Sequence, residues 1–137
     1  MSWHVMLVDK SQPKEPYCYA QCGSCYERCS GWPAVEVPRH TEGAITELYG
    51  STEADLAVTY NYGALFRSAL PPSTDGLRGL DGVQAAEAIP MLEAAVETLG
   101  TEQDTDYWKP TPGNAGYALS ALLRWARLHP SATFLVT

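Results

Sequence analysis

A chain of 137 residues carrying nine lysines and arginines against sixteen aspartates and glutamates, for a net charge of −7, fits one compact domain. That charge argues against a broad phosphate-binding surface and so against direct nucleic-acid binding. At 45% apolar residues the composition is ordinary for a globular fold, and no apolar run approaches the ~20 residues that cross a bilayer. The opening MSWHVMLVDK is too short and too polar for a secretory signal. The expectation is therefore an acidic, cytoplasmic protein that is not in a membrane.

In chain order, residues 2 to 9 read as a strand, with Trp3, Val5 and Leu7 on one face. Residues 10 to 33 form an insert rich in Pro, Gly, Ser and Tyr, without a period that would bury a face. A short strand is expected at Ala34 to Pro38, a polar turn over Arg39 to Gly43, and a third strand at Ala44 to Tyr49 closed by Gly50-Ser51. The segment DLAVTYNY, Asp55 to Tyr62, is the clearest strand pattern, with Leu56, Val58, Tyr60 and Tyr62 sharing a face. Residues 64 to 69 suit one or two helical turns, and the run from Pro71 to Gly76 forces a loop.

Asp81 is placed to cap a short helix over 82 to 88. Because proline fits a first turn and not a helix interior, a separate helix is expected over 90 to 99. Its stripe is Leu92, Ala95, Val96 and Leu99, and Gly100 stops it. A last helix from about Asn114 to Leu128 carries Ala115, Ala118, Leu119, Leu122, Leu123 and Ala126 on its apolar stripe, with Arg124 and Arg127 off it. Residues 131 to 137 close as a strand. Strands first, then helices, then one strand predicts an α+β domain spanning 1–137: a mostly antiparallel sheet of about four strands, two or three helices on one face, and the Cys-rich insert at about 10–33.

All four cysteines, Cys18, Cys22, Cys25 and Cys29, fall within that insert at C-x3-C-x2-C-x3-C spacing. Four thiolates suit tetrahedral zinc at ~2.3 Å. A straight helix would hold Cys18 and Cys29 ~16 Å apart, so metal binding requires the chain to reverse, and Gly23 offers the turn. Structural zinc is the leading expectation in a reducing compartment. Two disulfides (18 with 29, 22 with 25), an iron–sulfur cluster and redox-active thiols stay open. His4 and His40 are further candidate ligands. Tyr17, Tyr19, Tyr26 and Trp32 give the insert a tyrosine- and tryptophan-rich contact surface.

Two other groups stand out. Thr111-Pro-Gly-Asn-Ala-Gly116 leads into a helix, where free backbone N–H groups could take a phosphate, or where Asn114 could simply cap the helix. No phosphate-loop or dinucleotide signature accompanies it, which favours the cap. Tyr60, Asn61, Tyr62, Tyr107, Trp108, Lys109 and Asn114 could line a pocket for a nucleotide-type ligand, or belong to the core. No serine elbow, zinc-protease motif or placed carboxylate pair marks an enzyme.

The runs SWHVMLVD, TYNYG, DYWKPTPGNAG and LLRWARLHP resemble small uncharacterised bacteriophage and prophage proteins, many of actinobacterial hosts. The resemblance covers most of the chain outside residues 10 to 33 and brings no activity or site residue with it. It implies a phage-derived protein acting inside a bacterium. The functional expectation is a non-enzymatic accessory protein whose zinc knuckle helps bind a host or viral protein, with or without self-association. A small-ligand binder and a virion or assembly component are the alternatives.

Overall fold

The computed structural model describes residues 2–12, 32–40, 51–71 and 75–137. The four cysteines, Tyr17, Tyr19, Tyr26 and the strand expected at 44 to 49 lie outside them. The described residues form an α+β domain with a three-stranded antiparallel sheet, a small two-stranded sheet and three α-helices.

The sheet is organised by its central strand β1, Ser2–Val8. One side of β1 pairs with β4, Asp55–Thr59, and the other with β5, Thr133–Val136. Register follows hydrophobicity. Trp3 faces Val58, Val5 faces both Leu56 and Val136, and Leu7 faces Phe134. Because side chains alternate along a strand, these seven residues share one face, and all are buried. Slipping any pair by one residue would turn that face to water.

Beyond the β4 register the chain splays. Leu7 N–H donates to Ala54 O, Val35 N–H to Leu7 O and Ala54 N–H to Val35 O. This triangle joins the main sheet to a second one, made of β2, Glu36–His40, and β3, Ser51–Glu53. Arg39 and His40, expected in a turn, thus extend β2, and β3 begins at Ser51, expected to close the preceding strand.

The strand expected through Tyr62 stops at Thr59. Thr59 Oγ1 accepts from Asn61 N–H at 3.2 Å, which bends Tyr60–Tyr62 into a 3-10 turn leading into α1, Gly63–Ala69. Strand alternation is lost there: Tyr62 is buried and Tyr60 is exposed.

A second 3-10 segment, Gly76–Leu80, precedes Asp81. Asp81 does not cap a helix; its Oδ1 accepts from Val136 N–H at 2.9 Å. The residues after it turn and bond to β5, with Gly82 N–H on Phe134 O and Phe134 N–H on Val83 O.

Helix α2 then runs unbroken over Ala85–Leu99, with Pro90 inside it. The separate helices expected on either side of Pro90 are one. Proline at 90 removes the bond to the carbonyl of Ala86, four residues earlier. Ala86 and Pro90 are both exposed, so water can take that carbonyl. Ala85, Ala88, Leu92 and Ala95 are its buried stripe, and Gly100 ends it at φ +76°, a value open to glycine at little cost. Helix α3, Pro112–Leu128, packs along α2 and buries all six residues of its expected stripe together with Trp125 and Ala121.

Candidate functional site

The start of α3 is built on a threonine and a buried asparagine. Thr111 Oγ1 accepts from Asn114 N–H at 3.1 Å, and Pro112 occupies the first helical position, where a missing N–H costs nothing. Thr111, and not Asn114, is therefore the cap. Asn114 is fully buried and turns its amide onto the preceding loop. Its Oδ1 accepts from Asp104 N–H at 2.8 Å, and its Nδ2 donates to Asp106 O at 3.0 Å and Lys109 O at 2.9 Å. Two nested aspartate turns stiffen the loop further: Asp104 Oδ1 accepts from Asp106 N–H, and Asp106 Oδ1 from Trp108 N–H.

The strand-end aromatics grip the same loop from the other side. Asn61 Nδ2 donates to Trp108 O at 2.9 Å, and the Tyr62 hydroxyl donates to Tyr107 O. Ring contacts continue the grip. Tyr107 meets Tyr62 at 6.1 Å and Trp108 at 4.8 Å, while Tyr62 packs on Phe66 and Phe66 on Trp3, whose other neighbour is Tyr60. Lys109 Nζ lies 3.6 Å from Asp104 on the surface. The seven residues expected to line a pocket are therefore brought together, but Asn61, Tyr62 and Asn114 turn their polar groups to backbone carbonyls and N–H groups. Trp108, at 57% exposed, is the most exposed aromatic of the group.

Electrostatics fit the same reading. Burial, then the nearby Tyr107 and Asp106, push the Tyr62 phenol well above its ordinary value, so it remains a neutral donor. The Asp106 N–H bond, aided by Lys109, holds the Asp104 carboxyl below its usual range. A cavity of about 490 Å³ at the head of α3 is lined by Glu102, Asp104, Thr111, Pro112 and Gly113 among others. Two carboxylates on its wall oppose an anion there. The glycines of the motif admit the chain's own backbone: a Cβ at Gly113 would collide with Glu102 O, and one at Gly116 with Gly100 O.

A second locus is the neck of the Cys-rich insert. Asp9 N–H donates to Pro33 O at 3.0 Å, Val8 bridges Ala34, and Lys10 Nζ sits 4.7 Å from the Trp32 ring centroid. The chain thus leaves the described fold after Gln12 and re-enters it at Trp32 beside its own point of departure. Ser11 bonds hold the Asp9 carboxyl below its usual value at the same neck. His4 pairs with Asp55 at 3.3 Å on the sheet, and the His40 side chain lies outside the described set. Among the described residues no three His, Cys, Asp or Glu side chains gather as a metal site.

No protein-family model matches the chain, and no curated protein or solved structure shows significant similarity to it. No helix among the described residues is long and apolar enough to cross a membrane.

One grouping escaped the sequence reading. A cavity of about 270 Å³ between β2 and the second half of α3 is lined by Pro38, Arg39, Arg124, Trp125, Arg127 and Leu128. The available signal was the three-residue spacing of Arg124 and Arg127 around Trp125, which puts both guanidinium groups on one side of the helix. Arg39 could be added only once β2 was known to reach it.

Proposed function

We propose that this chain is a non-enzymatic accessory protein of phage origin that acts inside a bacterial cell and binds a host or viral protein through its Cys-rich insert. In this reading Cys18, Cys22, Cys25 and Cys29 hold one structural zinc. The insert is then a metal-stapled lobe carrying Tyr17, Tyr19, Tyr26 and Trp32 as its contact residues.

The observation that carries this reading is the neck. Residues 8 to 10 and 32 to 34 are pinned to each other at the end of β1. A segment of this length can then be exchanged or ligated without strain on the sheet, because its closure entropy is met where the two ends join. A zinc staple would supply internal order to a segment whose sequence has no period that would bury a face. The phage origin rests on the TYNYG and DYWKPTPGNAG resemblance. The alternative, a nucleotide-type ligand held by Tyr60, Asn61, Tyr62, Tyr107, Trp108, Lys109 and Asn114, is disfavoured because the polar groups of Asn61, Tyr62 and Asn114 already bond the 104–109 loop.

Metal analysis of the purified protein, paired with thermal melts, tests the reading. One zinc per chain is expected, with Cys22→Ser losing the metal while the main domain keeps its cooperative transition. A well-folded wild-type protein without metal would end the proposal.

A further inference from the structure

We infer that the cavity between β2 and the C-terminal half of α3 binds a small organic anion: one carboxylate or phosphate on an apolar body about the size of a single ring. This does not depend on the zinc lobe.

The walls divide by chemistry. Pro38, Trp125 and Leu128 supply apolar surface, and the basic side chains of Arg39, Arg124 and Arg127 complete the lining. Leu128 is 53% exposed at the mouth, while Trp125 is almost wholly buried. A dry cavity of ~150 Å³ accommodates benzene. The 270 Å³ here has room for a ring and one anionic group, near the lower bound of small-molecule pockets.

The charge is concentrated. Three of the chain's nine basic residues meet at this one cavity, in a protein of net charge −7. A basic residue in the last turn of a helix is explained by the helix dipole, and that covers Arg127, which also bonds Glu93 at 3.2 Å. It does not cover Arg39, which arrives from a separate strand. Strand β2 is tied to the end of α3 by His129 Nε2 donating to Glu36 O at 2.6 Å. Among the described residues neither Arg39 nor Arg124 has a carboxylate within ion-pair distance. Guanidinium forks suit bidentate bonds to carboxylate or phosphate. The overall negative charge works against a polyanion and leaves a small anion as the occupant, since attraction at this range is local.

Titration calorimetry on the full chain, with phenyl phosphate and phenylacetate as probes, tests this. Inorganic phosphate and phenol are the controls for charge without ring and ring without charge. At least one of the two aromatic anions should bind, and both controls should bind at least about tenfold more weakly. The double substitution Arg39→Gln, Arg124→Gln should weaken the better probe by about tenfold or more, with an unchanged melting temperature. Should the double variant fold poorly, Arg124→Gln alone should show a loss in the same direction. The inference is overturned if neither aromatic anion binds at millimolar concentration. Inorganic phosphate or phenol binding as tightly, or undiminished binding by the arginine variants, would overturn it equally.

Discussion

The loop clasp around Asn114 and the arginine-lined cavity at the far end of the same helix invert what their compositions suggest. The clasp holds the residues usually associated with ligand sites: tyrosines, a tryptophan, a lysine, asparagines and a glycine-rich helix start. Yet Asn61, Tyr62 and Asn114 bond main-chain groups, and its two glycines are filled by the chain's own carbonyls. The cavity looks like plain helix surface in the sequence, yet two of its guanidinium groups have no carboxylate partner among the described residues. What separates scaffold from candidate site is where the polar atoms are spent, and residue type alone does not report that.

If the clasp is structural, Asn114→Ala should have the largest effect. It strands the Asp104 N–H and the Asp106 and Lys109 carbonyls. Three hydrogen bonds of a fully buried side chain are lost at about 1 kcal/mol each, so a loss of about 3 kcal/mol, read by denaturant unfolding, is expected. An effect below about 0.5 kcal/mol, the size of an ordinary surface change, would mean the loop is not held this way.

Tyr62→Phe removes one hydrogen bond and keeps the ring contacts with Phe66 and Tyr107. It should cost about 1 kcal/mol, and amide exchange should quicken around Tyr107. Unchanged exchange there would remove Tyr62 from the clasp.

The smallest effect is electrostatic. The folded-state pKa of Asp104 is depressed, so its contribution to stability is present above the unfolded value of about 3.9 and lost as pH falls through the folded value. Asp104→Asn should therefore be less stable than wild type at neutral pH, and the gap should close in acid. A gap independent of pH would assign the effect to shape and not charge.

Much of the fold was legible because it rests on periodicity. Strand β1, the start of β4, the α3 stripe and the closing β5 all follow apolar spacing, and Gly100 stops α2 as expected. The misreadings have separate causes: solvent, a short side-chain bond and a distant strand each overrode a local rule. Pro90 and Ala86 lie on the exposed side of α2, where water can take the carbonyl that Pro90 frees. Thr59 ended β4 early by bonding Asn61. Asp81 was claimed by β5, far along the chain, and not by the helix after it. At the clasp the sequence singled out the right residues and could not say that they meet backbone. Arg39 joined Arg124 and Arg127 only through the pairing of β2 with β3 and the contact of His129 with Glu36, neither of which has a signature in the sequence.

The most direct test of the contrast is a ¹H–¹⁵N NMR titration of the full chain with phenyl phosphate. Shift changes confined to Arg39, Trp125 and their neighbours on β2 and the end of α3, with Asn61, Trp108 and Asn114 unmoved, are the expected result. Saturable shifts centred on Asn61, Trp108 and Asn114, with the arginine cavity silent, would contradict it.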